Sequence, residues 1–577
     1  MTSIESNKPR VERVDDIPVI YGMLERMGVQ SMIDSVITPH GNWAGLSPGW
    51  VMTLWLVHIL SEQNHLMEPV QKWVHRHLFL LTSLSGQKVQ ELDFTDDRLA
   101  MCLRDLSGAD VWQALERRIG ERLMRVYDLE TGLIRLDATV GTVHHNPEQA
   151  SLFQVGKAKN GLYATQFKLM LASLDPLGLP LAVDVVPGNR ADDPLYIPSY
   201  RRVKAILERD GLVVVGDSKM GALLTRATIV AGRDSYLVPL ADQKDEPDLL
   251  DQLLEAWLDQ DAAAMLLFRP EDRAAEGKEP DPKLAIACGF EVTRSRRAMV
   301  DGVETSWDER LLVIRSYSYM KSMLAGLRQR LDKAEAAFIA LTPPRGRGKN
   351  QIEEETKLLT AIAQVEKKHR VQGLFHYDYH QEVQERHVRA YNGNPARVER
   401  KVRYQLSVKR NQSAIEEAEF RAGWRIYATN QSTQQLSLEE AVSVYRDQIV
   451  QENVFRRLHG KMLSITPLYV QREDHAQGLI HLLTLASRVL ALGDYLAREA
   501  LAAQGEELAG VYAGNPTRST PRPTTERMLK AFEGIDLVIL SQGEEHLTFL
   551  TDLMPVHERI LALLGLNRAL FTNLHVA

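Results

Sequence analysis

The stretch Leu133-Ile-Arg-Leu-Asp-Ala-Thr-Val140 decides how this chain is read. Ile134, Leu136, Ala138 and Val140 alternate with Arg135, Asp137 and Thr139, the two-residue rhythm of a half-buried strand. Upstream of about residue 125 the apolar residues recur at three-to-four spacing, so the chain changes here from helix to strand. An acid on such a strand is costly unless a cation or hydrogen bonds compensate it. Asp137 is therefore the first candidate for a functional residue.

Working downstream, 167–174 and 179–186 read as a hairpin around the turn Asp175-Pro-Leu-Gly178. A helical stretch over 193–209 leads to the apolar run Leu212-Val-Val-Val215, a strand covered on both faces, which closes on Asp217. Another strand is expected over 235–240 and a further one over 424–429. Strands flanked by helices imply a mixed α/β layer. Between them, 241–422 reads as an insertion domain with a polar loop, a strand near 311–315 and two charged helical arms, 320–341 and 351–370. Pro343-Pro-Arg-Gly-Arg-Gly-Lys349 separates the arms. The arms read as a solvated hairpin whose tip offers Arg345, Arg347 and Lys349 to phosphates.

After 424–429, Ser437-Leu-Glu-Glu440 is a capping box that opens a helix. On one continuous helix Glu452 would lie about four turns in, with Tyr445, Gln448, Glu452, Arg456 and His459 along one face. The organisation expected is a helical region over 1–125, a first core segment over 126–240, the insertion over 241–422, a second core segment over 423–490, and a helical region over 491–577. The N-terminal helices suit a DNA-binding helix-turn-helix or a plain helical bundle equally.

Composition bounds the function. Hydrophobic residues at 44% and charged residues at 25% describe an ordinary globular chain, and two cysteines cannot make a disulfide framework. A reducing cytoplasm is expected, with no signal peptide and no membrane association. The net charge of −7 excludes a uniformly basic nucleic-acid binder but not local clusters. One cluster gathers Arg397, Arg400, Lys401, Arg403, Lys409 and Arg410; another follows Glu452. Each reads as a solvated face or a phosphate contact. His144 and His145 point to opposite faces of a strand and cannot share an ion. Ser218 and Lys219 lack a recognisable base and orienting acid.

An acid on an early strand, a second on a later strand and a third on a distant helix resembles the DDE-type transposases of bacterial insertion sequences. The resemblance extends to Gly156-Lys-Ala-Lys-Asn-Gly161, Gln166-Phe-Lys168, Leu177-Gly-Leu-Pro180 and Val186-Pro-Gly-Asn-Arg-Ala-Asp192. Tyr445, Gln448 and Glu452 resemble that family's Tyr–Arg–Glu–Lys helix signature. Gln448 stands at the Arg position and His459 at the Lys position, with Lys461 two residues later.

The resemblance implies an RNase H-like α/β core, a mixed sheet flanked by helices and interrupted by an α+β insertion domain. It implies Asp137, Asp217 and Glu452 as catalytic residues holding two Mg²⁺ or Mn²⁺ ions. Tyr445, Gln448, Arg456, His459 and Lys461 would contact DNA. The expected activity is cutting of element ends and joining of the freed 3′-hydroxyl to target DNA. The expected partners are terminal inverted repeats and target DNA, bound by a homodimer. A DNA-binding protein with an inactive core, or a metal-dependent nuclease without strand transfer, are the alternatives.

Overall fold

The computed structural model describes residues 9–144, 152–157, 161–241, 246–260, 263–272, 280–344, 346, 351–390, 395–542 and 545–574. A short strand β1 (Arg10–Arg13) precedes seven helices: α1 (Ile17–Met27), α2 (Val29–Val36), α3 (Pro48–Glu62), α4 (Glu68–Arg76), α5 (Leu78–Ser85), α6 (Asp96–Leu106) and α7 (Ala109–Tyr127). Gly28 takes a left-handed conformation (φ 72°) that ends α1 and starts α2.

Strand β2 (Leu133–Thr142) follows, then β3 (Gln154–Lys157), β4 (Tyr163–Asp175) and β5 (Leu179–Pro187). Next come α8 (Tyr196–Leu207), β6 (Val213–Gly216), α9 (Leu223–Ala231), β7 (Ser235–Leu240) and α10 (Leu249–Leu258). Three strands, β8 (Met265–Leu267), β9 (Ala287–Val300) and β10 (Val303–Ser316), lead into helices α11 (Tyr317–Leu341) and α12 (Glu355–His369). A long ribbon of β11 (Phe375–Val388) and β12 (Arg397–Arg410) and helix α13 (Gln412–Arg421) return the chain to β13 (Trp424–Thr429).

Helices α14 (Leu438–Arg446), α15 (Ile449–His459) and α16 (Glu473–Gln504) follow. The C-terminal region holds β14 (Leu508–Ala509), β15 (Ser519–Thr520), α17 (Thr525–Lys530), β16 (Asp536–Gln542), β17 (Glu545–Leu550), α18 (Pro555–Leu563) and α19 (Ala569–Thr572).

Ten strands form one mixed sheet in the order β3-β4-β2-β6-β7-β13-β10-β9-β8, with β5 also paired to β4. Strands β2, β6 and β7 are parallel, and their neighbours on either side run antiparallel. This is the mixed α/β sheet flanked by helices that the sequence implies.

Within 241–422, β8, β9 and β10 continue this sheet beyond β13, whereas 317–421 leaves it and builds a small core around Leu331, Phe338, Leu358 and Phe375. The C-terminal region is helical but also supplies β16, which pairs with β1, and β17, which pairs with β16, in a three-stranded sheet. That sheet ties the two ends of the chain together.

Helix α16 is long and apolar enough to cross a membrane by length and composition, yet its most apolar window is 89% buried inside the molecule. It is the core helix against which the N-terminal helices and β5 pack. Arg488 on α16 reaches Glu116 of α7 (3.0 Å) and the Leu181 carbonyl of β5 (3.0 Å), a buried tie between layers.

Candidate active site

Two of the acids are neighbours on the sheet. In the parallel pair β2–β6 the last rung sets Leu136 opposite Gly216, and Asp137 and Asp217 are the residues that follow it on each side. Adjacent strands lie about 4.8 Å apart, which puts the two backbones side by side. Asp137 is half-buried within β2, and Asp217 is half-buried just past the end of β6.

Local structure fixes each carboxylate. Asp137 Oδ1 accepts from the Ala138 amide at 2.7 Å. Asp217 Oδ1 accepts from the Lys219 amide (2.8 Å) and from the hydroxyl of Tyr196 (2.6 Å), the first residue of α8. Among the described residues no hydrogen bond reaches Asp217 Oδ2. Tyr196 is fully buried, and burial and then the Asp217 carboxylate push its hydroxyl pKa far up; Asp137 adds to the rise. Tyr196 therefore stays a neutral donor within electrostatic reach of both acids.

Helices α14 and α15 cross the face of β2 that carries Arg135, Asp137 and Thr139. Arg135 Nη2 donates to the Val444 carbonyl (2.8 Å), and Thr139 Oγ1 lies 3.4 Å from His459 Nε2. Buried Gln451 bonds to Ser173 Oγ and meets the Leu171 carbonyl (3.4 Å). Leu171 is the register partner of Asp137 on β4. Glu452, next along the chain, is exposed in the first turn of α15.

The continuous helix expected through Tyr445 and His459 is corrected by the structure. The capping box Ser437–Glu440 is present, but α14 ends at Arg446 and α15 begins at Ile449. The Gln448 amide bonds to the Tyr445 carbonyl (3.3 Å), three residues back. The carbonyl four back, Val444, is held by Arg135, and a side chain inserted into the ladder breaks a helix. Glu452 therefore lies in the first turn of α15 rather than four turns into one helix. The single face from Tyr445 to His459 is divided by this break.

Tyr445, Gln448 and Glu452 line a cleft of about 590 Å³ with an apolar floor of Leu237, Leu312, Ile314 and Val442. Its rim adds Arg269, Arg425, Tyr427 and Arg446, which the sequence reading did not single out. Tyr427 meets Tyr445 edge-to-face at 4.6 Å, and the Arg425 guanidinium lies 3.9 Å from the Tyr319 ring centroid. Burial, then Tyr427, push the Tyr445 hydroxyl up to about 12, with the Asp217 charge contributing. Period-two alternation on β13 puts Arg425 and Tyr427 on one face, a signal available in the sequence. Tyr196, Arg269 and Tyr319 carry no such signal.

Arg456, His459 and Lys461 do not line the cleft. Arg456 is exposed and bonds Asn453 on its own helix; half-buried His459 ends α15; Lys461 is exposed beyond it. Arg345, Arg347, Lys349 and His145 lie outside the described residues. Among the described residues, no group of three or more His, Cys, Asp or Glu side chains is close-set enough to hold a metal ion. The structure thus sets Asp137 within β2 and Asp217 just past the end of the neighbouring β6, with Glu452 in the first turn of α15.

No family model matches this chain, and no curated protein matches it. Among solved structures, it is similar to the cryo-EM structure of the piggyBac transposase synaptic complex with hairpin DNA, with a TM-score of 0.32 and 7% identity, over 86% of this chain and 79% of that one.

Proposed function

We propose that this chain is a DDE-type DNA transposase that cuts the ends of an insertion sequence and joins the freed 3′-hydroxyls to target DNA. The observation that carries the reading is that Asp137 and Asp217 each follow directly on the Leu136–Gly216 rung of two adjacent parallel strands, with α15, which bears Glu452, seated on the neighbouring β4 through Gln451. The sequence resemblance supports it: the same three acids stand in that family's order.

The donor chemistry fits a hard divalent cation, because carboxylate oxygens are the ligands Mg²⁺ and Mn²⁺ take. Among the described residues, Asp217 Oδ2 is the oxygen left open by the hydrogen bonds to Oδ1. Asp137, Asp217 and Glu452 would hold the ions. Bound there, two cations supply activation of an attacking oxygen and charge stabilisation of a leaving one. Tyr196 and the Lys219 amide orient the Asp217 carboxylate, and Gln451 seats α15 on β4. Tyr445 and Gln448 present a hydroxyl and an amide to a phosphate. Gln448 gives no charge and no guanidinium fork, so that contact is weaker than an arginine would make. Two element ends require two active sites, which a homodimer on DNA provides.

The test is incubation with the DNA that flanks the coding region, a target plasmid and Mg²⁺ or Mn²⁺, scoring cut ends and joined products. Asp137→Asn, Asp217→Asn and Glu452→Gln should each lower both products by about a thousandfold or more. Cleavage without joining would identify a nuclease instead. Full activity in Asp217→Asn would remove the proposed metal site.

A further inference from the structure

The helical arms α11 and α12 are followed by a ribbon that the proposed catalysis does not use. Strands β11 and β12 pair without interruption from Phe375–Arg410 to Val388–Arg397, fourteen rungs long. Only the base of this ribbon is supported. Phe375, Tyr377, Tyr379, Tyr404, Leu406 and Val408 join the small core with α11 and α12. The outer edge of β12 is tied down at two amides, Tyr404 to the Ile352 carbonyl (3.1 Å) and Leu406 to Thr342 Oγ1 (3.1 Å). Beyond Tyr404 the ribbon continues for seven more rungs, to Val388–Arg397, with nothing packed on it among the described residues. At about 3.3 Å per residue that is roughly 20–25 Å of free arm.

The free arm is basic. Between Gln384 and Lys401, Arg386, Arg389, Arg397, Arg400 and Lys401 stand against Glu385 and Glu399, a net charge of +3 in a chain of net charge −7. Arg386, Arg389, Arg400 and Lys401 are exposed and make no ion pair with the described residues. By contrast Arg403, at the supported end, is spent on Glu382. Val383 and Val398 are 40% and 52% exposed on the same arm, so it presents apolar surface as well as charge. Charge on both faces of a two-stranded ribbon suits an occupant that surrounds it. The major groove of B-form DNA, about 12 Å wide, admits a two-stranded ribbon between two rows of phosphates, whereas the deep, narrow major groove of A-form RNA does not.

We propose that the distal β11–β12 ribbon is a duplex-DNA docking arm that enters the major groove, with Arg386, Arg389, Arg400 and Lys401 contacting the flanking phosphates. The choice of DNA as the polyanion rests on the proposed function; the arm itself needs neither the acids nor a metal.

The test is binding of a fluorescein-labelled DNA duplex of about 40 bp to the full chain, measured by anisotropy across a salt series. Two variants are compared with the parent. One carries Arg386→Gln, Arg389→Gln, Arg400→Gln and Lys401→Gln; the other joins Val383 to Val402 through Asn-Gly, a turn that closes a shortened hairpin. Each should bind about tenfold or more weakly at moderate salt, with the slope of log K against log salt shallower by about 3. Their unfolding temperatures should match the parent. Parent-like DNA affinity in both variants, or no duplex binding by the parent, would overturn the arm. So would a loss of self-association with DNA affinity intact, which would make the ribbon a contact between copies. An equal loss of affinity for an A-form RNA duplex would overturn the groove placement. Asp137→Asn serves as the control: it should bind like the parent and fail to cut. A parent that binds through the ribbon yet never cuts DNA sinks the transposase reading and leaves the arm standing.

Discussion

Asp217 is held by two donors on a single oxygen, and one of them, the Tyr196 hydroxyl, comes from a fully buried side chain. A partner of this kind orients a ligating carboxylate without touching the reacting atoms, and losing one typically costs 10–100-fold in metal affinity or activity. Tyr196→Phe keeps the ring and removes only the hydroxyl. It should fold normally and show cleavage lowered by about 10–100-fold, with the loss partly recovered at high Mn²⁺. Unchanged metal dependence would show that Tyr196 serves packing alone. At this scale the sequence carried the strand positions of two acids of the candidate site. The alternation around Asp137 assigned it a face, and the apolar run ending at Asp217 placed that acid at a strand end. Tyr196 was not legible, because a buried hydroxyl finds its partner through the fold.

The elements that carry period or capping signals were legible, including β7, β13, the β4–β5 hairpin and the start of α14. The break between α14 and α15 was not, because its cause is a hydrogen bond from Arg135, 309 residues away. Strand β9 was hidden for a related reason. Its Arg294 and Arg296 look solvated in sequence, yet they bond buried Glu309 of β10, and both pair with Glu246. Arg135 also pairs with Asp175 at the hairpin turn, and both side chains are largely buried. Removing one member of such a pair leaves an uncompensated charge, which costs about 3–5 kcal/mol. Arg135→Met should therefore lower stability to chemical denaturation by about that amount, and adding Asp175→Asn should recover part of it. A loss as small as that of an exposed substitution would show that Arg135 does not anchor the α14–α15 break.

Across the whole molecule, α16 is the element on which the layers converge, and its burial sets an acid limit on the fold. His481 lies on α16 with no exposed surface to speak of, stacked on Trp112 at 4.1 Å, and its Nδ1 is 2.9 Å from the Leu106 carbonyl. Burial, with Arg202 and Arg488 nearby, lowers its pKa to about 3, against an ordinary 6.5. Above pH 6.5 the ring is neutral whether the chain is folded or not, and it adds no pH dependence. Below that, the unfolded chain takes up a proton that the folded one refuses, so stability falls by about 1.4 kcal/mol for each pH unit down to the folded pKa. Half-buried Asp16, raised to about 7, works in the opposite direction over part of this window, because there the folded state holds the proton more tightly. A difference measurement separates the two. His481→Asn can still donate to Leu106 but cannot titrate. Its denaturation midpoint should lie below the parent's at pH 7.5, where the stacked ring on Trp112 is lost. The gap should then close by about 1 kcal/mol per pH unit between pH 6 and 4.5, read from urea unfolding at each pH. Parallel pH profiles for the two proteins would mean that His481 takes up its proton inside the folded core.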